Sequence, residues 1–214
     1  LFYLCSELLI KDFSRGITLR KVLNVGGNNK SIQLPAHFAG FEHLLLDIDP
    51  RGKPDILCDA RELATQEADQ FDAVYCSHNL EHYYRHDVQK VLAGFLHVIK
   101  DGGFAHIRVP DIAEVMRLTV ENKLDIDDVL YTSPAGPIMV LDVLYGYSVE
   151  IESSGQDFYA HKTGFTEKSL LAALDKAGFS MASSNLENLE VNVIAFKGEP
   201  NSNTRALFNI PNSS

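Results

Sequence analysis

The chain has 214 residues, enough for one α/β domain with a sizeable core. Its 29 acidic against 19 basic residues leave a formal charge of −10, which argues against nucleic acid or an anionic membrane as the main partner, since both reward a basic face. Cys5, Cys58 and Cys76, with no CxxC pair, indicate reduced thiols in a cytoplasmic protein rather than a disulfide framework or a zinc site.

Leu1 to Ile10 (LFYLCSELLI) is apolar but short, lacks the basic start and cleavage site of a signal peptide, and reads as a helix on the domain edge. Ile17 to Val25 (ITLRKVLNV) predicts a first strand buried on both faces, broken by Gly26-Gly27. Gln33 to Phe38 allows a short, poor helix. A second strand, HLLLDIDP from His43, stops at Pro50. Asp55 to Cys58 is a very short third strand, and Ala60 to Ala68 a modest helix. Phe71 to Cys76 is the fourth strand, followed by Ser77 to Tyr84 (SHNLEHYY). His86 to Lys100 carries apolar residues at helical spacing, with Gly102 placed to cap that helix. Phe104 to Val109 is the fifth strand. This alternation implies a parallel sheet with right-handed crossovers. The rhythm then breaks. Asp111 to Glu121 reads as a helix and Asp125 to Phe165 as a long irregular region of the functional or mobile kind. Thr166 to Ala177 is a capped helix ended by Gly178. Phe179 to Leu186 and Glu190 to Lys197 are spaced as a hairpin, and the Asn, Ser and Pro after Gly198 read as a frayed tail.

Five stretches, taken in order, resemble the class I S-adenosylmethionine-dependent methyltransferases of the type 11 kind. Val22 to Gly27 resembles the first glycine motif, LLLDIDP the acidic second strand, and Asp59-Ala60 the Asp-Ala/Gly after the third strand. FDAVYCSHNLEH with IKDGGF behind it resembles the block around the fourth strand. His161 to Phe165 (HKTGF) with Ala177-Gly178-Phe179 resembles the C-terminal segment. The resemblance implies a Rossmann-like three-layer sandwich: a seven-stranded, mostly parallel sheet with an antiparallel C-terminal strand inserted beside the sixth. It implies one such domain over residues 1–197, with 111–165 as a substrate-side cover and 198–214 as a tail. It also implies S-adenosylmethionine as cofactor and methyl transfer to a small-molecule acceptor.

Gly26 and Gly27 allow backbone to pass the methionyl and ribose portions closely. Asn24 and Asn28 stand where the motif usually has an acid and a second glycine; Asn tolerates a left-handed backbone at some cost. Asp47, with Ile48 beside it, lies about 20 residues beyond the glycines, where a carboxylate accepts ribose hydroxyls. Asp59 would reach the adenine amino group, Ala60 would offer its backbone N–H to the ring, and Ser77 would line the pocket through its backbone. His78 or His82 could serve as a general base, with His161 and Tyr159 as alternatives. No residues are assigned to a metal; Asp125, Asp127 and Asp128 read as a solvated face. A homodimer is left open. A non-catalytic protein that kept the fold and binds a ligand or partner is the competing reading, favoured by Asn24, which offers no charge, and by Asn28 in place of the glycine. A nicotinamide dehydrogenase fits poorly, since GGNNK does not start the helix a pyrophosphate needs.

Overall fold

The computed structural model describes residues 19–211. The edge helix expected over Leu1 to Ile10, Cys5, the start of the first strand and the last three residues lie outside that range.

Strand β1 (Lys21–Val25) leads into a loop with a single 3-10 turn at Ala36–Phe38, then β2 (Glu42–Asp47). A 3-10 turn at Pro50–Gly52 precedes the two-residue β3 (Ile56–Leu57). A 3-10 helix at Ala60–Thr65 leads to β4 (Phe71–Ser77) and a further 3-10 turn, Leu80–His82. Helix α1 (Arg85–Val98) is followed by β5 (Ile99–Pro110) and α2 (Ile112–Glu121). A two-stranded hairpin, β6 (Val129–Ser133) and β7 (Gly136–Met139), precedes α3 (Val140–Tyr145) and α4 (Ser148–Ser154). After a 3-10 turn at Asp157–Tyr159 come α5 (Glu167–Ala177), β8 (Met181–Glu187), β9 (Glu190–Phe196) and α6 (Ser202–Phe208).

Seven strands form one sheet in the order β3-β2-β1-β4-β5-β9-β8. The first five are mutually parallel, and β9 runs antiparallel to both β5 and β8. The expected Rossmann-like sheet with an antiparallel C-terminal strand is therefore present. Alternation along each strand divides the core into two layers. Leu23, Val74, Cys76, Ala105 and Ala195 face the side covered by α1 and α5. Val22, Ala73, Tyr75, Phe104 and Phe196 face the other side, covered by Phe38 and the end of α6. Helix α1 buries Val88, Val91, Leu92, Phe95 and Val98, the stripe its sequence announces. Gly94 sits within it because Leu63 packs there: a Cβ would stand 2.9 Å from Leu63 Cβ.

Several expectations are corrected. No α-helix forms between β1 and β2, where Gly, Asn and Pro make poor helix. The Gln33 to Phe38 helix reduces to the 3-10 turn, and the Ala60 to Ala68 helix to a 3-10 segment that Asp59 caps. Gly102 has a left-handed φ of 73°, yet it does not cap α1, which ends at Ile99 in extended backbone; Gly102 lies inside β5 and admits the chain near Asn201, whose N would stand 2.7 Å from an added Cβ. The 125–165 region is structured rather than irregular. Its base is closed where Asp111 bridges Phe165 and Ile112 N–H donates to Phe165 O at 2.9 Å. The expected tail contains α6, capped by Asn201, with Leu207 and Phe208 packed against the sheet. The Thr166 cap, Gly178 and the final hairpin occur as expected.

Candidate active site

The carboxyl ends of β1, β2 and β4 surround a cavity of about 470 Å³. Open parallel sheets bind ligands at such a crevice. Its wall includes Asn24, Gly26, Gly27, Asn28, Asp47, Ile48, Asp59, Ser77, His78, His82 and Tyr159, so most residues singled out in the sequence converge here. Ala60 is buried outside the wall, which gives no support to the ring-contact role expected of it. His161 also lies outside the wall, behind His82, with ring centroids 4.8 Å apart.

The turn after β1 is held from β2. Gly26, at φ 70°, donates its N–H to Leu46 O at 2.8 Å. Asn28 occupies the left-handed region at φ 61°, the conformation expected there, and donates its N–H to Asp47 Oδ2 at 2.9 Å. The other oxygen of Asp47 accepts from Asp49 N–H at 2.9 Å. Asp47 thus braces the turn while each oxygen keeps a further lone pair for a ligand. The glycines also admit neighbouring side chains. A Cβ on Gly26 would stand 2.0 Å from Asn79 Nδ2, and one on Gly27 would stand 2.0 Å from Asn24 Nδ2. Asn24 pairs its Nδ2 with His43 Nε2 at 3.3 Å, and its buried Oδ1 has no partner. Asp59 lines the cavity and is also a cap: it accepts from Arg61 N–H at 2.9 Å and pairs with the Arg61 guanidinium at 2.5 Å.

The histidines separate by partner. His78, in the left-handed region at φ 49°, meets Glu190 Oε1 through Nε2 at 2.6 Å and faces Glu81 Oε1 from Nδ1 at 3.6 Å. Burial opposes its charge, but Glu190 and Glu81 raise its pKa to about 10. It is an imidazolium at neutral pH and has no lone pair for a general base. Glu190 also holds Arg108. His82 Nδ1 lies 3.2 Å from Ala160 O and His161 Nδ1 lies 2.9 Å from Val143 O. A carbonyl only accepts, so both rings carry a proton on Nδ1. Burial lowers the pKa of His161, which keeps it neutral.

Tyr159 is committed as well. Its hydroxyl donates to Asp49 Oδ2 at 2.6 Å and accepts from Arg51 Nη2 at 2.7 Å. Arg51, with Tyr159, holds the Asp49 carboxyl down at about 2; burial and Asp49 push the Tyr159 phenol up to about 12. Arg51 also reaches Glu150 on α4, so this group ties the 111–165 region to the end of β2. Glu81, Asp49, Asn79, Arg108 and Glu190 were not among the site residues the sequence suggested. Glu81 lay between two candidates in SHNLEH, whereas Glu190 gave no local signal. His97 and His106 serve the structure: His97 Nε2 donates to Gln66 O at 2.9 Å, and burial pulls His106 down to about 4.

Residues 25–107 match the family model described as a methyltransferase domain. No curated protein sequence matches the chain. Among solved structures, a SAM-dependent methyltransferase from Archaeoglobus fulgidus is 16% identical, with a TM-score of 0.52 and coverage of 83% of this chain and 86% of that one. The PH0226 protein from Pyrococcus horikoshii is 13% identical, with a TM-score of 0.55 and coverage of 85% and 84%. A SAM-dependent methyltransferase from Thermotoga maritima, titled a possible histamine N-methyltransferase, is 14% identical, with a TM-score of 0.50 and coverage of 83% and 82%. The chain therefore has the fold of the class I S-adenosylmethionine-dependent methyltransferases, with a methyltransferase domain recognised over residues 25–107.

Proposed function

We propose that this protein binds S-adenosylmethionine between the Gly26–Asn28 turn and the ends of β2 and β4, and transfers its methyl group to a small-molecule acceptor. The observation that carries this reading is the convergence of the motif residues on one cavity. The donor set suits the cofactor. Asn24 Oδ1 is a buried acceptor without a partner in the cavity wall, a costly state that an ammonium donor would relieve. Asp47 has acceptor capacity left for ribose hydroxyls, and the Gly26–Asn28 turn offers no helix start to a pyrophosphate.

When bound, the cofactor supplies an electrophilic methyl group on a sulfonium. The chain's own residues hold the acceptor in line and exclude water. Tyr84 lines the cavity together with Phe158 and Lys162 of the 111–165 region, and we assign the acceptor to that side. His82 is the candidate histidine in the wall that keeps an uncommitted ring nitrogen, Nε2.

A non-catalytic binding role is the second reading, favoured by the absence of charge at Asn24 and by the pairing of Asp59 with Arg61. Calorimetry with S-adenosylmethionine and S-adenosylhomocysteine tests the proposal. Binding of both, lost in Asp47→Ala, supports it. No heat with either ligand at millimolar concentration sinks it. Tight binding without methyl transfer to any small-molecule panel favours the second reading.

A further inference from the structure

Behind the cavity wall, Glu81, His82 and His161 bring one ligand atom each to within 4.8 Å of one another. Glu81 is 1% exposed, and neither of its carboxylate oxygens has a hydrogen-bond partner. The nearest cation, His78 Nδ1, stands at 3.6 Å, too far for a hydrogen bond. The His78 imidazolium offsets part of the charge, but a buried carboxylate with neither oxygen hydrogen-bonded remains costly, and a ligand cation would complete it.

The two imidazoles are set for that task. Each gives its Nδ1 proton to a backbone carbonyl, Ala160 O for His82 and Val143 O for His161, which leaves an Nε2 lone pair on each ring. Metal-binding histidines are oriented in this way by a carbonyl or carboxylate behind them. The backbone fixes the three residues relative to one another. Glu81 O accepts from Lys162 N–H at 2.7 Å and Thr163 N–H at 3.1 Å, and His161 N–H donates to Tyr145 O at 2.9 Å. The three arrive from two segments about 80 residues apart, joined by those bonds.

We infer that Glu81, His82 and His161 form a binding site for one divalent transition-metal ion of the zinc type, with an open coordination position toward the cavity that His82 lines. Two imidazoles and a carboxylate are the donor set of zinc and its first-row neighbours, whereas magnesium and calcium prefer oxygen ligands throughout. Ligand atoms about 2.0–2.2 Å from zinc sit closer together than 4.8 Å, a gap that side-chain torsions close. The open position would take an oxygen or nitrogen of the acceptor and polarise it next to the methyl donor. The metal-binding inference stands independently of the cofactor reading; only this last role rests on it.

The test is zinc titration of the chelator-treated full-length protein by calorimetry, with Co(II) absorption as the spectroscopic reading. One ion per chain is expected, with the visible bands of a site of low coordination number. His161→Ala and Glu81→Gln should weaken zinc binding by at least about tenfold. His86→Ala, which alters an exposed histidine outside the cluster, should bind zinc as the parent does. Zinc should also raise the melting temperature of the parent and of His86→Ala but not of His161→Ala, which keeps the test sharp should Glu81→Gln fail to fold. Absence of stoichiometric zinc in the parent, or undiminished binding in His161→Ala, overturns the inference. Zinc uptake without any S-adenosylmethionine binding would keep it and overturn the proposed function instead.

Discussion

Asp47→Asn separates bracing from ligand binding. Asp47 is 8% exposed, and its two oxygens accept from Asn28 N–H and Asp49 N–H, each at 2.9 Å. Asparagine keeps one oxygen and replaces the other with an NH2 group, which cannot accept. One of the two backbone N–H groups then faces a donor in a nearly dry site. Leaving such a group unsatisfied costs about 1–3 kcal/mol. For a chain of this size, 1 kcal/mol moves the melting temperature by roughly 2–4 °C, so the ligand-free variant should melt about 2–12 °C lower. Calorimetry on the same sample reads the second role separately: if Asp47 is the proposed ribose acceptor, S-adenosylmethionine binding weakens. A ligand-free melting temperature within about 1 °C of the parent would refute the bracing argument, whatever happens to affinity.

Gly26→Ala should be more destabilising than Gly40→Ala. Both positions are left-handed, at φ 70° and 81°, and share a backbone cost of about 1–2 kcal/mol, but only Gly26 would drive a Cβ into Asn79. Denaturant midpoints compare them, and equal losses would show that Asn79 moves aside freely. Tyr159→Phe removes the hydroxyl shared by Asp49 and Arg51 and should speed limited proteolysis within 146–160. Unchanged cleavage with a fall in kcat alone would instead mark Tyr159 as chemical. The His78 pKa is raised from 6.5 to about 10, so its contribution to stability is fully present below about pH 6.5 and is lost as pH rises through about 10. Thermal melts across that window should decline more steeply for the parent than for His78→Gln; parallel curves would contradict the ion pairs with Glu190 and Glu81.

Regular elements were legible where a periodic pattern ran long enough to average out exceptions. Helix α1 announces its face over fourteen residues, and Thr166 and Gly178 mark both ends of α5. The glycine turn and Asp47 could be assigned to one crevice because the resemblance sets an acid at the end of the second strand, about 20 residues beyond the glycines. The 125–165 region was not legible as structure. Its helices α3 and α4 have six and seven residues, too short for an apolar repeat to rise above the background. Helix α6 was hidden by its Asn, Ser and Pro surroundings, although Asn201 as cap and Leu207-Phe208 as anchor were there to read. The role of His78 could not be read, because its partner Glu190 is 112 positions away and arrives only when β9 enters the sheet. Nor does a sequence tell which histidine nitrogen is spent on a carbonyl: it is Nδ1 in His82 and His161 but Nε2 in His97.

The placement of β9 bears on how the chain is made. The strand that comes last in order among the described residues is the one that lies between β5 and β8. Until residues Glu190–Phe196 have emerged, β5 has a partner only in β4, and its far edge offers a long row of unpaired N–H and C=O groups to any other strand nearby. A nascent chain or fragment ending before Glu190 should therefore be sticky rather than merely less stable. It would already contain the whole glycine turn, Asp47 and the SHNLEH stretch, but without Glu190 to fix His78. Completion of the sheet and fixing of His78 are thus one event.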